Sequence, residues 1–271
     1  MGLGGFFNYE KPGRGIRKDE PKKKLFFVFL ETWVRNFWKL IPVNFVYSLL
    51  TVLLIPCGLA SAGITNVCRN LARDKHSFML SDFFATVKKN WKQALPAGII
   101  NFIVNVLTGY AIYFYFFGTD FISVFGLAVA LLIFVIFSFM KYHIWLILIT
   151  FKLKLGKIYK NSFLFAFVNL KRNIAVGVVS LLLYAATFAL LLIPYNIALI
   201  AAVFIATCIL PGFINLFTQF CVFEKVKKLM IDPYYEEHPG EDVDLRRGLG
   251  LEIEEEDENV FDDDIPTQNE K

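Results

Sequence analysis

The chain has 271 residues, of which 56% are hydrophobic, 17% aromatic and only 19% charged, whereas about 25% of residues are charged in a soluble domain. This composition excludes an ordinary soluble domain and predicts an all-α protein, a polytopic transmembrane helical bundle. The net charge of +4 conceals two opposite parts. Residues 1–231 contain 25 basic and 8 acidic side chains and form the predicted transmembrane domain, whereas residues 232–271 contain 3 basic and 16 acidic ones.

The first apolar stretch, residues 40–68, has no formally charged side chain. It follows a segment at 25–39 whose aromatic and charged side chains recur with helical spacing, as is typical of a helix at the lipid headgroups. Pro56 and Gly58 predict a turn inside the stretch, so that it forms a hairpin of two short spans. A re-entrant loop or one long tilted helix is the alternative.

Three further uncharged stretches predict the remaining spans. Residues 93–119 precede a short turn, and residues 121–140 follow it. Residues 173–223 contain no Asp, Glu, Lys or Arg over 51 positions, which is enough for two passes through a core that takes roughly 20 helical residues to cross. Pro194 predicts the turn between these two passes, and Pro211 predicts a turn or kink in the second. The six predicted spans are about 38–56, 58–73, 95–117, 121–140, 174–193 and 197–223.

Lysine and arginine are confined to one side of the predicted bundle. The turns near 56–58, 118–120 and 194–196 carry none, and nearly all of those in the first 231 residues lie in the N-terminal segment, in the loops between the hairpins and directly after the last span. The positive-inside rule places those loops, and both termini, in the cytoplasm. We therefore expect a multi-pass protein in contact with the lipid bilayer and without a cleaved signal sequence. The basic segments are 11–24, 69–92, 152–172 and 225–228.

The acidic tail, residues 232–271, is not part of the predicted bundle. Its low hydrophobicity and high density of like charges are the signature of disorder. We interpret it as a solvated cytoplasmic segment, and docking against the basic loops or a basic partner is the alternative.

The sequence contains no catalytic or cofactor-binding motif that we recognise. It has no GxxxxGK[ST] phosphate loop, no HExxH motif and no Cys/His set with zinc spacing. The four cysteines lie in or beside apolar runs, which favours packing over a disulfide framework. We therefore predict a protein that is not an enzyme, with no catalytic residue, no cofactor and no metal. We also expect no nucleic-acid partner.

Polar side chains in the apolar stretches are the candidates for function. Lys141 and His143 follow the fourth predicted span, and ionisable groups at membrane depth indicate functional sites. Asn101 and Asn105 are four residues apart and share a helical face, and Asn215 lies in the last span. The alternatives are that Lys141 reaches the cytoplasmic interface, about one membrane thickness from the preceding turn, and that the asparagines form hydrogen bonds between helices.

Five segments of the chain together resemble one known family. They are MGLGGFFNYEKPGRGI, the following PKKK, RNFWKLI, IPCGLASAGI and DFFATVKKNWKQA. These segments resemble the YesL family, DUF624-type integral membrane proteins of unknown function in Firmicutes, over about residues 1–230. The resemblance implies a bacterial cytoplasmic-membrane protein with a link to carbohydrate uptake, because such proteins tend to be encoded beside sugar ABC transporters. It supplies no catalytic or binding residue.

Two functional hypotheses follow. The first is a non-enzymatic accessory subunit that associates with the permease subunits of a carbohydrate ABC importer. The alternative is a self-sufficient transporter or channel for a small solute, which six spans and polar residues at depth favour. A homo-oligomer is compatible with both.

Overall fold

The computed structural model describes residues 25–54, 56–75 and 77–233, which form helices joined by short turns. No strand occurs in this part of the chain, so the all-α prediction is confirmed for it. Nearly all of the acidic tail, and the basic segment before residue 25, lie outside the described residues. The helices are α1 (Leu25–Val52), α2 (Cys57–Ala72), α3 (Met79–Phe116), α4 (Phe121–Thr150), α5 (Leu155–Val168), α6 (Leu170–Leu191), α7 (Asn196–Phe204) and α8 (Leu210–Val226).

Four helical segments are long and apolar enough to cross a membrane. They are α3, α4, α6 and the segment Asn196–Ile231, in which a π-helical turn joins α7 to α8. Their large apolar side chains are mostly exposed, and only 6% of the most apolar part of α4 is buried inside the protein. Such surfaces are unfavourable in water and suited to contact with lipid. These features support an integral membrane protein, while the count of six spans and the cytoplasmic termini stay predictions.

The hairpin of α1 and α2 has one long arm of 28 residues and one short arm of 16. Its turn lies beside α3 at Gly58, where a Cβ atom would come within 2.6 Å of the Gly98 Cα atom and 2.1 Å of the Ala94 carbonyl oxygen. From Gly98, α3 continues to Phe116 for about 27 Å at 1.5 Å per residue. Helix α2 itself has 16 residues, about 24 Å, and the hydrocarbon core is about 30 Å thick. The two spans predicted for this hairpin, with a re-entrant element as the alternative, stay a prediction.

The tip of this hairpin is apolar. Val52, Leu53 and Leu54 are 77%, 60% and 52% exposed, and Leu54 closes the turn with a φ of 61°. Pro56 follows at the N-cap position of α2. Turns that face water are normally rich in polar residues, so this tip is suited to an apolar environment within the membrane.

The amphipathic segments that the sequence places at the membrane surface are not separate helices. The aromatic segment at 25–39 is the first half of α1, and the basic segment at 82–92 is the first part of the 38-residue α3. Pro42 and Pro96 lie near the predicted starts of the first and third spans, and both lie inside helices, Pro42 in α1 and Pro96 in α3. Membrane bundles tolerate such prolines because neighbouring groups satisfy the freed backbone.

The remaining turns lie where apolar runs are interrupted. Pro194 lies in the turn between α6 and α7, and Pro211 lies in the first turn of α8, directly after the π-helical turn Ile205–Ile209. Asp120 caps α4 and accepts hydrogen bonds from the Ser123 side chain at 2.6 Å and from its backbone N–H at 3.2 Å. These bonds stabilise the carboxylate and hold the pKa of Asp120 below its ordinary value.

Candidate functional site

A polar cavity of about 280 Å³ lies between α1, α2, α4, α6 and α8. Most of its lining side chains carry a hydroxyl or an amide, one carries an ammonium group, and none is a carboxylate. Polar groups are costly to bury in an apolar bundle, so a cluster of them indicates a functional site. The lining residues are Tyr47, Ser61, Thr65, Ser138, Lys141, Tyr142, Trp145, Ser180, Tyr184, Ile214, Asn215, Thr218 and Gln219.

Helical periodicity places these side chains on the walls of the cavity. Residues four apart share one face of a helix. Four of the five helices contribute such a pair, so each of them turns one polar stripe toward the cavity and keeps apolar faces elsewhere. The pairs are Ser61 with Thr65 on α2, Lys141 with Trp145 on α4, Ser180 with Tyr184 on α6, and Asn215 with Gln219 on α8.

Lys141 carries the only charge among the lining side chains. Its Nζ donates a hydrogen bond to the Asn105 Oδ1 atom at 3.1 Å. No carboxylate of the described residues forms an ion pair with it. An ammonium group has three donors, so two remain available to a solute. A partly buried cation without an acidic partner is costly, which makes Lys141 a candidate for binding a solute.

A chain of hydrogen bonds behind Lys141 runs through α3 to α5. The Asn105 Nδ2 atom donates to the Asn101 carbonyl oxygen at 2.7 Å. The Tyr159 hydroxyl group lies 3.1 Å from the Asn101 Oδ1 atom and 3.2 Å from the Ala97 carbonyl oxygen, and can donate to either. With its amide nitrogen held in this way, Asn105 turns its oxygen toward the ammonium group. Asn105 and Asn101 therefore position Lys141 instead of lining the cavity.

The hydroxyl groups of α2 and α8 are available as acceptors. Ser61, Thr65 and Thr218 each donate to the carbonyl oxygen four residues earlier in their own helix, at 2.7–2.8 Å. Their lone pairs stay free to accept from a solute. Gln219 is only 2% exposed, and its Oε1 atom has no hydrogen-bond partner among the residues that the structure describes. The cavity thus combines one charged donor with several acceptors.

This arrangement is suited to binding a solute. The cavity holds no carboxylate and no histidine. Within the described ranges, no group of three His, Cys, Asp or Glu side chains could hold a metal ion. Ligand pockets commonly measure about 300–1,000 Å³, so a cavity of about 280 Å³ fits a small molecule. A small solute with several hydroxyl groups matches the donors and acceptors.

His143 lies away from the cavity, although only one residue separates it from Lys141. Two positions along a helix correspond to a rotation of about 200°, which turns the two side chains to opposite sides of α4. The His143 Nε2 atom is 3.1 Å from the Asn173 Oδ1 atom, and the ring stacks on Phe165 with centroids 5.3 Å apart. The side chain is fully buried. It therefore connects α4 to α5 and α6, and its part in function stays a prediction.

Four of the five polar candidates from the sequence lie together. Lys141 and Asn215 line the cavity. Asn105 accepts a hydrogen bond from Lys141, and the Asn101 carbonyl oxygen accepts one from Asn105. Their part in function stays a prediction. The sequence did not indicate Gln219 or the three tyrosines of the cavity. The signal that could have found them is the recurrence of polar pairs at a spacing of four on several helices.

Residues 40–116 match the model of a family described as a protein of unknown function, DUF624. The matched region runs from the middle of α1 to the end of α3 and includes the turn between α1 and α2, together with Asn101 and Asn105. The match supports the resemblance to DUF624 proteins, and the narrower resemblance to the YesL family stays a prediction. No curated protein and no solved structure matches the chain.

Proposed function

We propose that this integral membrane protein is a non-enzymatic accessory subunit of a bacterial carbohydrate ABC importer and that it binds a carbohydrate in the polar cavity. The observation that carries the proposal is the chemistry of the cavity, in which hydroxyl and amide groups surround a single ammonium group. A carbohydrate presents many hydroxyl groups, and each of them both donates and accepts. The importer as partner rests on the resemblance to the YesL family.

Aromatic side chains complete the match to a carbohydrate. Trp145 and three tyrosines line the cavity together with the polar groups. Their flat apolar faces can pack against the C–H face of a sugar ring, while the phenol and indole groups supply hydrogen bonds at the edges. An apolar body with a polar rim of this kind is the usual composition of a small-molecule site.

Carbohydrate binding is tested with the full chain in lipid nanodiscs, titrated with a panel of mono- and disaccharides. Trp145 lies in the cavity, so its fluorescence reports an occupant directly. We expect a saturable change in the wild type that is absent in Trp145→Phe, and equilibrium dialysis with a labelled sugar measures the affinity independently. The absence of saturable binding across the panel would contradict the proposed ligand.

The role as an accessory subunit is tested by mild detergent extraction of the tagged protein from host membranes after growth on inducing sugars. We expect permease subunits of an importer to be recovered with the wild type, as identified by mass spectrometry. An unrelated tagged membrane protein of similar abundance is the control. Recovery of the protein alone under these conditions contradicts the accessory role.

The second candidate function is transport by the chain itself. It is favoured by one specific observation, the hydrogen-bonded chain from Lys141 through Asn105 and Asn101 to Tyr159, which extends polar groups beyond the cavity toward the start of α5. Flux of labelled sugars into proteoliposomes that contain only this protein distinguishes the two candidates. Flux that depends on Lys141 favours transport, and binding without flux favours the accessory subunit.

A further inference from the structure

A cleft of about 410 Å³, separate from the cavity, lies where α2 ends and α3 begins. Arg69, Lys75 and Lys89 line it with three positive charges, and Asp82 contributes one negative charge, which leaves a net charge of +2. The other polar side chains of the lining are the amides of Asn66 and Asn70 and one threonine hydroxyl group. The cleft therefore combines cations with neutral donors, which is the composition of an anion site.

Arg69 is fixed in position but not neutralised. It is only 6% exposed, and its guanidinium group donates to Thr150 Oγ1 at 3.1 Å and to Asn66 Oδ1 at 2.7 Å. Both partners are neutral, and its Nε atom has no hydrogen-bond partner within the described part of the chain. Burying an arginine without a negative partner is costly, so a ligand that brings negative charge stabilises this arrangement.

The one acidic residue of the cleft does not neutralise the charge of Arg69. The Asp82 carboxylate accepts a hydrogen bond from Ser77 Oγ at 2.7 Å and forms no ion pair with Arg69. The pKa of Lys75 lies below its ordinary value, first because of partial burial and then because of repulsion by Arg73 and Arg69. The positive charges at this end of α2 therefore reinforce each other's potential.

We propose that this cleft binds a phosphate group through Arg69, Lys75 and Lys89. A guanidinium group offers paired donors in one plane that match phosphate oxygens. The two lysines add positive charge at the rim of the cleft. The phosphate belongs either to the headgroup of an acidic lipid in the predicted cytoplasmic leaflet or to a phosphorylated small solute. In both cases the negative charge would compensate the buried Arg69 and tie α2 to the start of α3.

The test uses the full chain in maltoside micelles, which contain no phosphate. In one arm, calorimetry measures the binding of inorganic phosphate at constant ionic strength, with chloride as the balancing anion. In the other arm, the melting temperature is measured after addition of phosphatidylglycerol or of diacylglycerol, which lacks the phosphate. The variant Lys75→Gln/Lys89→Gln removes two rim charges without disturbing Arg69, and Lys88→Gln removes an exposed neighbour that does not line the cleft.

We expect phosphate in at least one form to bind the wild type, with a loss of about tenfold in affinity in the double variant and less than about twofold in Lys88→Gln. Binding of inorganic phosphate identifies a solute site, and stabilisation by phosphatidylglycerol alone identifies a lipid site. No response in either arm overturns the proposal. Equal loss in the double variant and in Lys88→Gln also overturns it, because that result indicates general attraction to a basic surface.

Discussion

Replacing Lys141 by methionine removes the single charge of the polar cavity and keeps an unbranched side chain of similar length. A hydrogen bond from a charged group contributes about 1.5–3 kcal/mol, and about 1.4 kcal/mol corresponds to a tenfold change in affinity. We therefore expect Lys141→Met to weaken carbohydrate binding by about 10- to 150-fold. Stability is expected to stay the same or to rise, because the ammonium group is partly buried without a carboxylate partner.

Two measurements on the same nanodisc preparation test this prediction. Equilibrium dialysis gives the dissociation constant of a labelled sugar, and thermal unfolding gives the melting temperature. Lys152→Met is the matched control, since Lys152 is an exposed lysine just after the end of α4 and does not line the cavity. Unchanged affinity in Lys141→Met, or equal loss in Lys152→Met, refutes the reasoning that the ammonium group contacts the solute.

Three further substitutions probe the surroundings of the cavity. Asn105→Ala is expected to lower the affinity for sugar about three- to tenfold, because it releases Lys141 from its 3.1 Å hydrogen bond. Wild-type sugar affinity of this variant in dialysis would count against a positioning role of Asn105. His143→Ala removes a fully buried side chain and is expected to destabilise the protein by about 2–4 kcal/mol in denaturation. Sugar affinity in dialysis is expected to stay unchanged. Loss of sugar binding in the folded variant would show that the binding site extends to His143. Gly58→Val is expected to lower the melting temperature strongly, because a Cβ atom at position 58 meets the α3 backbone. Gly109→Ala is the control, since a Cβ atom at position 109 meets open space. Similar melting temperatures of the two variants would contradict the close contact between α2 and α3.

The apolar surface of the bundle could be predicted from the sequence because it depends on local composition. The uncharged run at 173–223 and Pro194 gave two helices with a turn between them, which the structure contains as α6 and Asn196–Ile231. The position of the α1–α2 hairpin against α3 could not be predicted in this way. It is set by the contact between Gly58 and Gly98, two positions on different helices whose pairing no local pattern specifies.

The candidate site was only partly predictable for a similar reason. Asn101 and Asn105 share a face of α3 by spacing alone, but their approach to Lys141 depends on how α3 packs against α4. The linear distance of Lys141 from the preceding turn favoured the interface, which stays a prediction, and its hydrogen bond to Asn105 beside the cavity is a contact that this distance did not indicate. His143 and Lys141 are only two positions apart in sequence. The rotation of about 200° between them along a helix could have predicted that their side chains lie on opposite sides of α4.

We predict that the cavity lies inside a membrane bundle whose basic loops share one face, and that the α1–α2 hairpin enters this bundle without crossing it. Labelling of single cysteines with an impermeant maleimide, in a background without the four native cysteines, tests it most directly. We expect Thr119→Cys to react in intact cells, Lys89→Cys and Lys157→Cys to react only after the cells are opened, and Leu54→Cys to stay unreactive under both conditions. Reaction of Leu54→Cys as fast as Thr119→Cys, or reaction of positions 89 and 157 from opposite faces, would contradict the claim.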